Sequence, residues 1–214
     1  MDEEITIIDS NTRNEKIKNF FIKNKNNLIS LISTIIILII VYFSYVEVKN
    51  RNKVKLANQY NTTIIDYNTG DKRNVVSELT YIIKEKDVTY SPLALYFLID
   101  KNLIDNKKDV NNLFDILINN INLELEIKNL IIYKKALYNS DTASENELIQ
   151  ILNPIINSES IWKSHALYLM AEYFYSNNEK EKSKEFFNQI LTLSNSNTDI
   201  KSESQKRLIR DLSE

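Results

Sequence analysis

Glycine and cysteine are the residues that this sequence lacks most clearly. The 214 residues include one glycine, Gly70, two prolines and no cysteine, whereas about 7% glycine is usual in soluble proteins. Glycine supplies the positive φ angles of tight turns and phosphate-binding loops. Its scarcity therefore argues against an all-β fold, a dinucleotide-binding Rossmann unit and a P-loop, and predicts an all-α fold. The absence of cysteine excludes disulfides, thiolate metal sites and cysteine nucleophiles.

Neither sign of charge is in large excess. The chain has 27 Lys and Arg against 29 Asp and Glu, a formal net charge of −2. Nucleic-acid-binding surfaces are strongly basic, so we expect no nucleic-acid partner. The one histidine, His165, has no second histidine or cysteine to join it, which favours a packed helix residue over a general base or metal ligand. We predict no catalytic residue, no metal site, no cofactor and no enzymatic activity.

Residues 28–46 form one long uncharged segment, LISLISTIIILIIVYFSYV. A helix of this length spans roughly 28 Å at about 1.5 Å per residue, close to the bilayer hydrocarbon core of roughly 30 Å. The alternative is a buried core helix, but the segment lacks the polar face that a soluble helix normally shows. Aromatic residues at its end, Tyr42, Phe43 and Tyr45, are typical of a membrane interface. We predict a transmembrane helix over residues 28–46.

Residues 1–27 form a polar tail whose second half is basic. Its cations and apolar residues favour either an amphipathic helix beside anionic lipid headgroups or a disordered tail. No small-x-small cleavage site follows the apolar segment, so we interpret it as an uncleaved signal anchor. Five cations precede the segment and four follow it, so the positive-inside rule decides little. We place the tail in the cytoplasm and residues 47–214 across the membrane.

Residues 47–214 are predicted to form successive helix pairs. Large apolar residues recur in the second helix of each pair at steps of 33, then 35 or 38, then 38 or 35 residues, namely Tyr81, Phe114, Ile149 or Leu152, and Phe187. These steps lie near the period of about 34 residues in tetratricopeptide repeats. The prediction is a tetratricopeptide-like helical-hairpin solenoid, and the alternative is an irregular helical bundle.

Local signals predict where several helices begin and end. Gly70 suits the left-handed position that follows a helix. Ser91 and Pro92 suit an N-cap and the first helical residue. Residues 142–145 and 144–147 form overlapping capping boxes before another apolar stretch.

The fourth unit, residues 166–191, fits the tetratricopeptide pattern best. Two small residues, Ala171 and Ser183, are expected to let antiparallel helices approach closely. Two aromatic residues, Phe174 and Phe187, are expected to fill the layer between this pair and its neighbour.

Three other residues of this region affect the interpretation. Asn178 stands where the repeat usually has a loop glycine, and Ile190 replaces a small residue. Trp162, the only tryptophan, is expected either in the core between repeats or as a partner-contact residue, because tryptophan is enriched in binding hot spots.

The order of these features resembles a known family. A basic tail, KIKNFFIKNK at residues 16–25, precedes the single apolar span, and a helix then runs through KLANQY at residues 55–60. Degenerate repeats follow, with YSPLA at residues 90–94 and AEYF at residues 171–174. The arrangement resembles the ancillary SecYEG translocon subunit family of bacteria.

That resemblance implies a single-pass protein of the bacterial inner membrane, with residues 1–27 in the cytoplasm and residues 47–214 in the periplasm. It also implies Sec translocon subunits and a membrane-anchored chaperone of the peptidyl-prolyl isomerase type as partners. The expected role is a non-enzymatic binding module that assists periplasmic chaperones with newly exported proteins. The alternative is a structural tetratricopeptide-like scaffold of another cell-envelope complex, acting by self-association.

Overall fold

The computed structural model of this protein describes residues 2–213, and the side-chain surroundings of residues 12–213. This part of the chain contains ten helices and no strand, which confirms the predicted all-α fold. The helices are α1 Asp2–Lys23, α2 Lys25–Thr69, α3 Val75–Lys84, α4 Tyr90–Asp100, α5 Lys107–Asn120, α6 Leu125–Asn139, α7 Glu145–Ile156, α8 Lys163–Ser176, α9 Lys180–Thr192 and α10 Thr198–Asp211.

The chain divides into two compact units, Met1–Lys55 and Leu56–Glu214. In the first unit, α2 contains a stretch that is long and apolar enough to cross a membrane, and none of that stretch is buried. A buried core helix would be covered by neighbouring side chains, so the structure does not support that alternative. The tail, for which a helix and disorder were both open, is helical as α1.

The second unit begins within α2, which ends at Gly70 as predicted. Gly70 has φ +99°, its N–H donates to the Tyr67 carbonyl at 3.2 Å, and the Asp71 N–H donates to the Asp66 carbonyl at 2.9 Å. These two bonds form a Schellman motif, which satisfies carbonyls that the helix end leaves free.

Three helices end without glycine at the left-handed position. Lys86 after α3, Asn102 after α4 and Asn178 after α8 have φ angles of 59°, 50° and 63°. Asparagine tolerates this conformation better than most residues, whereas lysine has no such advantage. The chain therefore carries backbone strain at Lys86 that a glycine would remove.

The helices of the second unit repeat at the predicted period. Among the first helices of each pair, α4, α6 and α8 begin at Tyr90, Leu125 and Lys163, at steps of 35 and 38 residues. Each helix from α3 to α9 packs on the next, and α3 also packs on α5, α6 on α8 and α8 on α10. This is the packing of stacked helical hairpins in a solenoid-like arrangement.

Each second helix buries its eighth residue. These residues are Ile82 in α3, Phe114 in α5, Leu152 in α7 and Phe187 in α9, and each is at most 1% exposed. The prediction that Tyr81 is the recurring apolar residue of α3 is wrong, because its side chain is 43% exposed. One residue is about 100° around a helix, so a shift of one position moves a side chain from the core to the surface.

The predicted start of α4 at Ser91 is also wrong. The carboxylate of Asp87 accepts hydrogen bonds from the N–H groups of Thr89 and Tyr90, both at 2.8 Å, and so stabilises the first turn. Ser91 lies inside the helix, where its buried hydroxyl donates to the Ile82 carbonyl at 2.9 Å. A bond between helices has replaced the cap that the local sequence predicted.

The capping box at residues 144–147 is present. The Ser144 N–H donates to the Glu147 carboxylate at 2.8 Å, and the Glu147 N–H donates to the Ser144 hydroxyl at 3.4 Å. The overlapping box at residues 142–145 is not formed, because α7 begins at Glu145 with Ser144 as its N-cap.

Helix α10 covers the last hairpin. Arg207 donates two hydrogen bonds to the Glu172 carboxylate, both at 2.7 Å, and its guanidinium lies 4.3 Å from the centre of the Tyr175 ring. On the apolar side, Leu212 packs with Phe187 in one buried cluster. Terminal helices with a polar outer face are what a solenoid needs to end its stack of apolar layers.

Candidate functional site

A groove of about 540 Å³ lies among α2, α4, α5 and α6 of the second unit, and we call it the aromatic groove. Its lining is mostly apolar and contains five aromatic rings in addition to a lysine and an aspartate. The lining residues are Tyr60, Leu93, Tyr96, Phe97, Ile99, Asp100, Phe114, Lys134, Leu137 and Tyr138.

The sequence of α4 explains why this groove is apolar. The helix reads YSPLALYFLID and is apolar around most of its circumference. One side is buried in the core through Ala94, Leu95 and Leu98, each at most 1% exposed. The other side has no covering helix, which leaves Leu93 41% exposed in the groove. An apolar surface that the fold itself does not cover often marks an interaction site.

Helix α6 supplies the opposite wall. Leu137 is 50% exposed, and the Lys134 ammonium lies 4.6 Å from the centre of the Tyr96 ring. Lys134 makes no ion pair with any residue that the structure describes. Burial raises the pKa of Tyr96 to about 12, so its phenol is neutral at physiological pH and remains a hydrogen-bond donor.

Contacts between rings hold several lining residues in place. The Phe97 ring meets Tyr67 edge-on at 5.1 Å between ring centres. The Tyr138 ring lies 6.1 Å from Phe114. Aromatic side chains have few rotatable bonds, and these contacts restrict them further, so a ligand loses little affinity in ordering them.

A second groove, of about 580 Å³, lies among α5, α6 and α7 and is polar. The amides of Asn111 and Asn139 bond to each other at 3.0 and 2.8 Å. Lys135 pairs with Asp115 at 2.7 Å. These central side chains already pair with one another and so join α5 to α6. They therefore leave few hydrogen-bonding groups for a ligand. The aromatic groove is therefore the stronger candidate site.

The four predicted packing residues are all buried in the last hairpin. Ala171, Ser183 and Phe187 are 0% exposed and Phe174 is 1% exposed. Phe174 shares a cluster with residues of α6 and α7, whereas Phe187 shares one with Leu212 beyond α10. The two rings therefore belong to different buried clusters, and the expectation of a single shared layer is wrong.

Trp162, the candidate partner-contact residue, is half-buried between α6 and α8. Its ring stacks on Tyr133 with 5.9 Å between centres and lies 5.1 Å from His165. It does not line the aromatic groove. The structure thus places Trp162 at the contact between two repeats.

His165 lies in the same ring cluster. Burial lowers the pKa of His165, although the nearby Ile161 carbonyl acts in the opposite direction. Its buried Nδ1 has no hydrogen-bond partner of good geometry among the described residues. In that part of the chain, no group of three or more His, Asp or Glu side chains is placed to hold a metal ion.

Sequence reasoning did not identify the aromatic groove as a site. The available signal was α4 itself, which has more apolar residues than one buried stripe requires. Comparisons with protein families, curated proteins and solved structures found no match to this chain.

Proposed function

We propose that this protein is a non-enzymatic, membrane-anchored binding module that holds apolar polypeptide segments close to a bilayer. The observation that carries the proposal is the aromatic groove, a preorganised apolar surface in the same chain as an apolar helix long enough to span a membrane.

The membrane anchor is residues 28–46 of α2. Large apolar side chains in this stretch are exposed, for example Ile35 at 47%, Leu38 at 62% and Phe43 at 64%. A continuous exposed apolar surface of this size is unfavourable in water and favourable in lipid. We propose a single span of the bacterial inner membrane, with residues 1–27 in the cytoplasm and residues 47–214 in the periplasm.

The groove supports an unfolded or extended polypeptide as the ligand. Its rings and leucines offer apolar contacts that do not depend on one particular sequence, and Lys134 in its lining allows polar contacts with a bound chain. The anchor ties the groove to the membrane and so raises its effective concentration for a ligand that is also at the membrane.

The setting we propose is the Sec translocon. The supporting argument is the resemblance in layout to the ancillary translocon subunit family, namely the basic tail, the single span and the degenerate repeats. In this setting the groove receives newly exported chains as they leave the channel. A membrane-anchored chaperone of the peptidyl-prolyl isomerase type is the neighbouring partner.

The groove is tested by placing charge on its two exposed leucines. We expect Leu93→Asp with Leu137→Asp to weaken binding of a fluorescent apolar peptide to the detergent-solubilised full chain by about tenfold or more, since a carboxylate in an apolar contact is costly. Both positions are partly exposed, so the helical circular dichroism spectrum should not change.

The matched control is Leu125→Asp with Ile209→Asp. These leucine and isoleucine side chains are 63% and 66% exposed and lie outside the groove. The control carries the same added charge, and we expect it to bind the peptide as the unaltered protein does. Equal binding by the groove variant and the control would refute the assignment of the groove.

A further inference from the structure

Helix α1 carries an apolar face next to the anchor that the groove function does not use. Ile17, Phe20 and Phe21 are 48%, 57% and 56% exposed. At about 100° per residue they fall within one arc of roughly 100° on the helix surface. The rings of Phe20 and Phe21 contact each other edge-on, with 5.9 Å between centres. The three side chains form a continuous apolar surface, which we call the α1 face.

Cations border the α1 face on both sides. Lys16 and Lys23 lie on one border and Lys18 on the other, each at roughly 100° from Ile17 around the helix. None of these lysines pairs with a carboxylate among the residues that the structure describes. Glu15, the only acidic residue in residues 12–23, lies on the opposite side of the helix.

Two further residues depart from this pattern. Arg13 lies one turn before Ile17 on the α1 face, where its long side chain can extend its guanidinium outward. Ile22 lies on the other side of the helix and is 65% exposed. The α1 face therefore remains Ile17, Phe20 and Phe21 with the lysines at its borders.

The position of α1 along the chain brings this face to the membrane surface. Lys23 precedes Leu28 by about one and a half turns, or roughly 7 Å of helix. The headgroup layer on each side of the hydrocarbon core is of similar thickness, since a bilayer of about 40–45 Å contains a core of about 30 Å. If residues 28–46 span the bilayer, Lys23 lies at the level of the headgroups.

Asn24 separates α1 from α2. Its side-chain amide and its backbone N–H both donate to the Phe20 carbonyl, each at 3.0 Å. Hydroxyl side chains that bond to the carbonyl four residues earlier often bend helices, and the Asn24 amide makes a bond of the same kind. Asn24 thus supplies a point where α1 can turn from the membrane normal onto the membrane surface.

We propose that the α1 face binds the surface of an anionic bilayer, with its phenylalanines at the acyl boundary and its lysines on phospholipid headgroups. This inference rests on the proposed membrane anchor. The occupant is lipid because the apolar face with cations at both borders is the pattern of interfacial helices. Each lysine near an anionic surface favours contact by about fivefold.

The experiment uses the full chain, whose lack of cysteine permits one fluorophore at a chosen position. Ile17→Cys reports the α1 face, Glu15→Cys reports the opposite side, and Ile36→Cys reports the span. Each labelled protein is reconstituted in vesicles of phosphatidylcholine alone or with phosphatidylglycerol added. A lipid-soluble quencher and the emission wavelength show which labels lie in lipid.

We expect the label at residue 17 to enter lipid in the phosphatidylglycerol vesicles while the label at residue 15 stays in water. Replacing Lys16, Lys18 and Lys23 by glutamine should reduce quenching at residue 17 severalfold. A label at residue 17 that stays in water while the label at residue 36 lies in lipid would overturn this inference alone. A label at residue 36 that stays in water would refute the membrane anchor itself.

Discussion

Replacing Phe187 by alanine tests the packing of the last hairpin most severely. Phe187 is 0% exposed and shares a cluster with Leu167, Ile190 and Leu212, and the Tyr168 ring meets it edge-on at 5.5 Å. A buried phenylalanine side chain contributes about 2–3 kcal/mol of transfer free energy. The cavity that remains adds about 1–2 kcal/mol, so we expect the free energy of unfolding to fall by about 3–5 kcal/mol.

The assay is urea unfolding of residues 47–214, followed by circular dichroism and by the fluorescence of Trp162. The only tryptophan reports the contact between α6 and α8, so agreement of the two signals shows whether neighbouring repeats unfold together. The control is Ile209→Ala, because Ile209 is 66% exposed and its loss should change stability by less than about 0.5 kcal/mol. A loss under about 1 kcal/mol for Phe187→Ala would refute the buried position of the ring.

Two other predictions concern backbone strain and pH. Lys86→Gly should raise the free energy of unfolding by about 0.5–1 kcal/mol, because lysine is strained at φ 59°. Lys84→Gly, at the last residue of α3, should lower it by up to about 1 kcal/mol. A change of the same sign for both variants in urea unfolding would contradict the strain at Lys86. Burial lowers the pKa of His165, so the unfolded chain takes up its proton first as the pH falls. The stability that depends on this residue is therefore present above about pH 6.5 and lost below it. His165→Gln should remove that part of the pH dependence. An unchanged slope of the unfolding free energy against pH in the variant would refute this prediction.

Much of the fold could be predicted because its signals are local. Scarce glycine and apolar positions spaced for helices predicted an all-α chain, and the pattern of large apolar residues predicted the hairpin period. Gly70 and the capping box at residues 144–147 behave as predicted because each depends only on nearby backbone groups.

Other features depended on contacts between distant residues and could not be predicted. The choice between Tyr81 and Ile82 as the buried residue depends on which side of α3 its neighbours cover. Ser91 forms a bond to the preceding helix in place of a cap. Phe174 and Phe187 lie in separate clusters because α8 packs on α6 and α7, whereas α9 packs on α10.

The aromatic groove shows the same limit at the candidate site. A leucine on an apolar helix stripe is normally predicted to lie in the core. Only the packing of α4 and α6 shows that Leu93 and Leu137 remain uncovered. The surplus of apolar residues on α4 indicates an uncovered surface, but the sequence does not say which residues form it.

The most direct test of the central claim is the identity of the partners in the cell. The tagged full-length protein would be crosslinked in living cells, isolated in mild detergent and analysed by mass spectrometry, beside the variant with Leu93→Asp and Leu137→Asp. We expect Sec channel subunits and a membrane-anchored chaperone with the unaltered protein, and fewer exported chains with the variant. Recovery of the protein alone, or of an unrelated envelope complex, would contradict the translocon assignment and favour a self-associating scaffold.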